Sequence, residues 1–408
     1  MSKARSQRKA IVREETHQRW KSEEIFLTGD SFFESIFAAI CAAQKSICFE
    51  FYIFAADAIG EKFTAALIEA AQRGVKVRVI VDGIGSAGWE EAFAERVHAA
   101  GIEFEVYHLP PWAIGHRIFR SWTPRLPLLQ RAKGVLQKRS LSWFRRWREV
   151  NHRSHRKLVV VDEEIAFVGS CNITRVHSEM MEGEQAWRDT SVKVTGRAVF
   201  DLLLAFEHVW GVKRSGRFRG SIRHGYNYPQ LVKLNMFRSV RAKNFRMLCQ
   251  SITSAKERVW ITSSYFVPHP IFLRALIRSR NRGVDVRVLV PGQSDVPFIP
   301  WVTIAFYHPL QKAGIPIYEY LPRVLHAKSI LVDEHAIVGS SNLNQRSLLH
   351  DLEIDVVLNN PATVQTLHDQ FLIDIQQARR ISQDGQNNVY PWYQRMIGRI
   401  LLLVKYFL

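Results

Sequence analysis

The chain is poor in cysteine, lacks any long apolar run and is short of acid. Its 408 residues include only four cysteines, Cys41, Cys48, Cys171 and Cys249, and none of them forms a CxxC pair. That excludes a disulfide scaffold and a zinc ribbon, and it fits a reducing compartment. No stretch approaches the ~20 consecutive apolar residues that a membrane-spanning helix needs. The N-terminal MSKARSQRKAIVREETHQRWK is basic and has no apolar centre, so it reads neither as a signal peptide nor as a span. Disorder is excluded too, because 47% of residues are hydrophobic and 23% charged, the balance of a globular protein. The shortage of acid is the strongest signal: 38 Asp and Glu against 56 Lys and Arg leave a net charge of +18. Such a surface expects a polyanionic partner: nucleic acid, an anionic membrane or a phosphate-bearing substrate.

What is present is one unit written twice. RGVKVRVIVDG (73–83) follows the helical pattern KFTAALIEAAQ, and RGVDVRVLVPG (282–292) follows FLRALIRSRN. Each copy places Gly just past its helix, as a C-terminal cap requires, and then an apolar strand. Upstream, FESIFAAICAAQKSICFEFYIF (33–54) parallels FRMLCQSITSAKERVWITSSYFV (245–267). Downstream, SHRKLVVVD (154–162) parallels LHAKSILVD (325–333), and each leads to a strand ending in GSCN (169–172) or GSSN (339–342). Strands alternating with helices predict an α/β fold of two pseudo-symmetric α/β/α sandwich lobes. The expected division is a basic tail over 1–23, lobes over 24–215 and 216–385, and an amphipathic segment over 386–408. The lobes meet near the Gly-rich, basic stretch 211–228.

The copies differ in length. Gly74 lies 81 positions before His155, whereas Gly283 lies 43 before His326, so the first copy carries 38 extra residues. They fall within 110–148, a segment with Trp112, Trp122, Trp143 and Trp147, many Arg and Lys, and no acid. Interleaved Trp and Arg suit a membrane interface; they also suit single-stranded nucleic acid, or simply a basic surface loop. The C-terminal WYQRMIGRILLLVKYFL (392–408) reads either as an interfacial helix or as one docked on the core. Gly83-Ile-Gly85-Ser-Ala-Gly88 spells a dinucleotide-binding GxGxxG, yet the second copy has PGQSDVP there. An ordinary Asp82-Gly83 turn at the rim of a cleft is the better account.

The chemistry sits in the doubled motif. On a strand, His155 and Lys157 face the same way, as do His326 and Lys328. Asp162 and Asp333, seven positions after each His, face oppositely and read as anchors at the strand's far end, although they complete the motif His155, Lys157, Asp162 and His326, Lys328, Asp333. Neither copy pairs a carboxylate and a second His at metal-ligand spacing, and no metal or cofactor is expected. A neutral imidazole can attack phosphorus, two Lys and two Asn can hold the non-bridging oxygens, and the second His can shuttle the proton. A carboxylate must fix the tautomer, and Asp189 (WRDTSVKV) and Glu353 (DLEIDVVL), on the next strand of each copy, are placed to supply it.

Two HxKxxxxD motifs, each followed by GSxN, resemble the phospholipase D superfamily, over residues 24–378. The resemblance implies a metal-independent ping-pong mechanism through a phosphohistidine, with Ser170, Asn172, Ser340 and Asn342 as phosphate-binding residues. The stretches AALIEAAQRGVKVRVIVDGIGS and GSSNLNQRSLLHDLE are most similar to the bacterial cardiolipin synthases, in a short form without N-terminal transmembrane helices. That implies transfer of a phosphatidyl group to phosphatidylglycerol, anionic phospholipids as partners, no nucleic acid, and a peripheral position on the cytoplasmic face of the inner membrane, reached through the Trp-rich insertion and the C-terminal segment. A phospholipase D-type hydrolase, another phosphatidyltransferase and a metal-independent nuclease are the alternatives.

Overall fold

The computed structural model describes residues 20–108, 152–215, 231–381 and 390–402. The segment 110–148 and most of the N-terminal tail lie outside them. The first lobe runs β1 (Ser22–Phe26), α1 (Gly29–Ala42), β2 (Ser46–Phe51), α2 (Ala58–Gln72), β3 (Lys76–Asp82), α3 (Trp89–Ala99), β4 (Glu103–Tyr107), β5 (Lys157–Val161), β6 (Ile165–Gly169), β7 (Ser191–Thr195) and α4 (Val199–Ser215). The second runs β8 (Val232–Leu234), α5 (Arg238–Ser254), β9 (Arg258–Ser263), α6 (Pro270–Asn281), β10 (Asp285–Pro291), β11 (Ile317–Tyr320), β12 (Lys328–Val332), β13 (His335–Gly339), β14 (Ile354–Leu358), α7 (Pro361–Gln376), β15 (Ala378–Arg380) and α8 (Trp392–Leu401). The sheets are ordered β1-β7-β6-β5-β2-β3-β4 and β15-β11-β10-β9-β12-β13-β14-β8. In both, parallel strands carry the helical crossovers and antiparallel strands carry the HxK and GSxN segments.

Alternation along β5 shows why the sequence folds this way. Leu158 and Val160 enter a core that joins both lobes through α4 and α7, while Val159 and Val161 enter the core under α1 and α2. A strand buried on both faces reads as an unbroken apolar run, as KLVVV does. Helix α2 is capped by Asp57, whose side chain accepts from Gly60 N at 2.9 Å. Gly74 (φ +90°) and Gly283 (φ +92°) close α2 and α6 in the left-handed conformation that glycine adopts without strain.

Both ends of the chain are packed where they are described. Trp20, within the basic tail, is buried and donates its indole N–H to Val357 O of the second lobe at 2.9 Å. Helix α8 docks on the short helix Ile299–Ile304, where Gly398 sits so close to Trp301 O that a Cβ would fall 2.0 Å from it. Its Tyr393, Met396 and Ile400 remain exposed. The helix is therefore docked through one face and leaves these side chains on the other.

Candidate active site

The two lobes exchange short segments. Ser154 bridges to Leu352, and Arg188 bridges to Leu325. Backbone bonds hold each crossing: His155 N donates to Leu352 O at 3.0 Å and His326 N to Arg188 O at 2.8 Å. Each HxK segment is thereby laid beside the carboxylate-bearing segment of the other lobe. A buried fork–fork pair from Arg188 to Asp374, at 3.2 and 3.0 Å, ties the crossing to α7.

The pairing of histidine with carboxylate is therefore crossed rather than contained in one copy. His155 Nδ1 lies 3.1 Å from both oxygens of Glu353, and His326 Nδ1 lies 2.8 Å from Asp189 Oδ2. A carboxylate accepts only, so Nδ1 carries the proton and Nε2 keeps its lone pair. Among the described residues no hydrogen bond reaches His155 Nε2, whereas His326 Nε2 already accepts from Lys328 Nζ at 3.2 Å. The rings are seated differently as well, His155 against Tyr52 and His326 against Trp187.

Lys157 and Lys328 each donate to the backbone carbonyl of their own histidine, at 2.9 and 2.7 Å. Asn172 accepts from Ile53 N through Oδ1 at 3.2 Å, and Asn342 accepts from Ser264 Oγ at 2.7 Å. Both amides thus have their oxygens engaged and keep NH2 donors for an anion.

Four motif residues are held by contacts of their own. Ser170 and Ser340 are fully buried, and their hydroxyls donate to Asp189 and to Glu353 (2.5 Å for the latter), the carboxylates that face the histidines. Asp162 and Asp333 lie at the far strand ends, away from the histidines. Asp162 accepts from the backbone N–H of Gln44, Lys45 and Ser46 at 2.7–2.9 Å, and Asp333 from Lys256, Glu257 and Arg258. Each fastens a helix-to-strand turn. The shorter second copy is explained by the following turn, which spans 162–164 in one lobe and 333–334 in the other.

Sequence reasoning missed His177. Its Nε2 accepts from Asn172 N at 3.2 Å, and its Nδ1 lies 3.1 Å from Asp189 Oδ2. In the second lobe Ser347 does the same work, accepting from Asn342 N at 3.3 Å and donating to Glu353 at 2.7 Å. The two residues share a spacing of five from Asn, a signal hidden because the residue types differ. Cys171, His177 and Asp189 have ligand atoms within 4.8 Å of one another. All three are committed to this support: His177 to Asn172, Asp189 to His326 and Ser170, and Cys171 as a thiol whose ionisation burial opposes.

Electrostatics separate the two halves. Burial, with Lys157 and Lys328 nearby, holds His155 well below the usual imidazole range, so it is neutral at pH 7. Burial and Lys328 bring His326 to about 4, against the pull of Asp189. Burial raises Glu353 to about 7, while Asp189 is held well below its usual value because His326 and His177 outweigh burial. Burial beside Lys328 lowers Lys157 to about 7. Tyr265 and Asp295, hydrogen-bonded at 2.6 Å, also border this field, for His326 and Lys328 help to hold Asp295 ionised against burial.

The Gly83-Gly85-Gly88 loop serves the site by packing. Asp82 accepts from Ile84 N and Gly85 N, and its carboxylate also pairs with Arg153 at 2.6 Å, two residues before His155. A Cβ on Gly85 would lie 2.3 Å from Tyr52 O. Glycine is required there so that the loop can approach the tyrosine that seats His155.

Comparison with known proteins gives a consistent result. The family described as "Cardiolipin synthase, PLD-like domain" matches residues 36–198 and 248–375. Cardiolipin synthase B of Salmonella typhi is 34% identical over 85% of this chain and 79% of its own length. Cardiolipin synthase 1 of Bacillus cereus is 30% identical over 93% of this chain and 72% of its own. Among solved structures, phosphatidylserine synthase of Haemophilus influenzae Rd KW20 shares the fold, with a TM-score of 0.67 at 13% identity, covering 97% of this chain and 99% of that one.

Proposed function

The chain belongs to the cardiolipin synthase, PLD-like domain family, and from that premise we propose that it transfers a phosphatidyl group between phospholipids, with phosphatidylglycerol as acceptor. The observation that carries this reading is the crossed pair of histidine–carboxylate dyads around one set of lysines and asparagines. In the first step the Nε2 lone pair of His155 attacks the donor phosphorus. The bond to the headgroup oxygen breaks, and that oxygen takes a proton from His326 Nε2. Lys328, 3.2 Å from Nε2, supplies this proton, and Asp189 stabilises the imidazolium. Lys157, Lys328 and the amides of Asn172 and Asn342 hold the non-bridging oxygens. In the second step His326 takes the proton of the acceptor hydroxyl, whose oxygen attacks phosphorus, and the P–N bond returns its pair to His155.

His155 is assigned as the nucleophile because its Nε2 is unengaged while that of His326 is held by Lys328. The reading places the protein peripherally on the cytoplasmic face of the bacterial inner membrane. No described helix is long and apolar enough to cross a membrane. Strands β9, β10 and β11 run parallel, and Lys328 pairs with the C-terminal residue of β9. At that same end stand exposed Ile271 and Leu321, and the helix on which α8 docks. An apolar rim around the catalytic end suits a site that takes its substrate from a bilayer.

The test is to incubate the protein with phosphatidylglycerol vesicles in EDTA, with single-stranded DNA in parallel. Cardiolipin is the expected product. Phosphatidic acid alone identifies a hydrolase, and cleaved DNA a nuclease; either result overturns the assignment.

A further inference from the structure

The lobes share their catalytic parts but not their packing. Beside the catalytic end of lobe two, between its sheet and helices α5 and α6, lies a cavity of about 90 Å³. Lys328 and Asn342 form part of its wall. A cavity larger than a single water is uncommon in a close-packed domain, so its origin is informative.

Superposing the repeats by strand register shows where it comes from. Phe26 faces Ser191 in lobe one, and Lys233 faces Asp355 in lobe two. Phe51 pairs with Lys157, and Ser263 with Lys328. Phe167 corresponds to Ile337 by the register of β6 and β13, and Phe32 to Asn244 when α1 and α5 are aligned at their C-terminal ends. In lobe one the four phenylalanines are buried, with Phe32 packed between Phe26 (tilted, centroids 5.7 Å apart) and Phe167 (edge-on, 6.1 Å). That aromatic plug is replaced in lobe two by a lysine, an asparagine, a serine and an isoleucine.

The replacement is polar and cationic. Among the described residues the Lys233 ammonium makes no side-chain hydrogen bond; burial lowers its pKa, and the charge of Asp355 opposes that. Arg241, in the position that Gly29 holds in lobe one, is 7% exposed; its Nη2 donates to His350 O at 3.0 Å, and its Nη1 is buried without a partner. Asp355, the acid beside Lys233, is occupied by the backbone N–H and hydroxyl of Ser341 at 3.0 and 2.6 Å. Phe245, Leu248 and Phe272 form the apolar wall.

We propose that this cavity is the acceptor subsite, taking an anionic phosphodiester that carries a free hydroxyl, the phosphoglycerol part of the second phospholipid. The donor's phosphate occupies the centre between the histidines, so a second phosphate needs cations of its own, and among the described residues Lys233 and Arg241 of lobe two line such a cavity. Lys233 and Arg241 hold that phosphate, and the hydroxyl is delivered past Lys328 and Asn342, where His326 takes its proton. This rests on the transferase reading above, and it gives the pseudo-symmetric site a direction: acceptor enters from lobe two.

The test writes the plug of lobe one into lobe two. Wild-type protein and the double variant Lys233→Phe/Asn244→Phe are given acyl-labelled phosphatidylglycerol vesicles, and the ratio of cardiolipin to phosphatidic acid is measured. The ratio is expected to fall at least tenfold in the variant; a ratio within twofold of wild type overturns the subsite. Should the double variant fail to melt cooperatively, Lys233→Met is used instead, with an expected rise of at least fivefold in the acceptor concentration for half-maximal transfer, and no rise overturns the proposal. A competition arm separates the ligand sources: glycerophosphoglycerol is expected to inhibit wild-type transfer and inorganic phosphate not to, and equal inhibition by both contradicts a headgroup site. Absence of cardiolipin from the wild type fails the transferase reading itself, and the subsite falls with it.

Discussion

His155 and Glu353, 198 residues apart and in different lobes, form one histidine–carboxylate pair, with both carboxylate oxygens 3.1 Å from the imidazole Nδ1. The carboxylate fixes the tautomer that leaves Nε2 free to attack, so its removal acts on kcat more than on binding. Glu353→Ala is expected to lower kcat by about 10²–10⁴-fold, read by steady-state transfer on protein whose melting is checked in parallel. A loss below tenfold would mean that the tautomer is set elsewhere.

The dyad also predicts a pH profile. Glu353 must be ionised to accept from Nδ1–H, and burial has raised it to about 7, so kcat/KM rises as pH climbs through neutrality. Lys157 must be charged to offset phosphate, and burial beside Lys328 has lowered it to about 7, so activity falls again on the alkaline side. The result is a narrow bell near pH 7. Lys157→Arg stays charged and is expected to move the alkaline limb up by about one pH unit or more, because the guanidinium does not titrate in this range. An unmoved limb assigns the fall to another group.

His177 and Ser347 perform one task in two lobes, each accepting from the Asn of GSxN and facing the catalytic carboxylate. His177→Ala frees the Asn172 N–H and is expected to reduce kcat about tenfold or more, the cost of one unmade buried hydrogen bond. His177→Ser, which copies lobe two, is expected to recover at least part of that loss. Equal activity of the two variants would reduce His177 to a packing residue.

Asp162 predicts stability rather than rate. Partial burial opposes its ionisation, but the three backbone N–H donors outweigh it, and its folded pKa lies below the ordinary value. Its contribution is therefore present above the unfolded pKa near 4 and disappears as pH falls through the lower folded value. Asp162→Ala is expected to cost about 1–3 kcal/mol at pH 7, with a shallower acid transition in denaturation, and to keep kcat within about threefold. A collapse of kcat in protein that melts normally would put Asp162 in the catalytic set.

Much of this was legible in the sequence, for reasons that can be named. The repeat, the lobes and the position of His155 and His326 follow from local signals: Gly past a helix, apolar alternation, and HxK at period two. Parity alone placed Asp162 and Asp333 away from the histidines, and the structure puts them there. The crossed pairing was not legible, because no local period relates residues 198 apart; it is decided by the exchange of Ser154 and Arg188 onto the opposite lobe. The contacts of Ser170 and Ser340 with the carboxylates were not legible either, because burial is invisible in a tetrapeptide. The lobe-two cavity was hidden for the same reason, since one lysine among strand residues carries no sign that a phenylalanine fills its place in the other copy.

The central claim is that the two lobes make a single site in which His155 takes the phosphatidyl group and His326 moves the proton. The direct test is to quench wild-type, His326→Ala and His155→Ala protein in alkaline denaturant during turnover of acyl-labelled phosphatidylglycerol, and to map the label by mass spectrometry of peptides. The account predicts a phosphatidyl adduct on the peptide holding His155 in the wild type, formed more slowly but not turned over in His326→Ala and absent from His155→Ala. An adduct on the peptide holding His326, or label retained in His155→Ala, would contradict it.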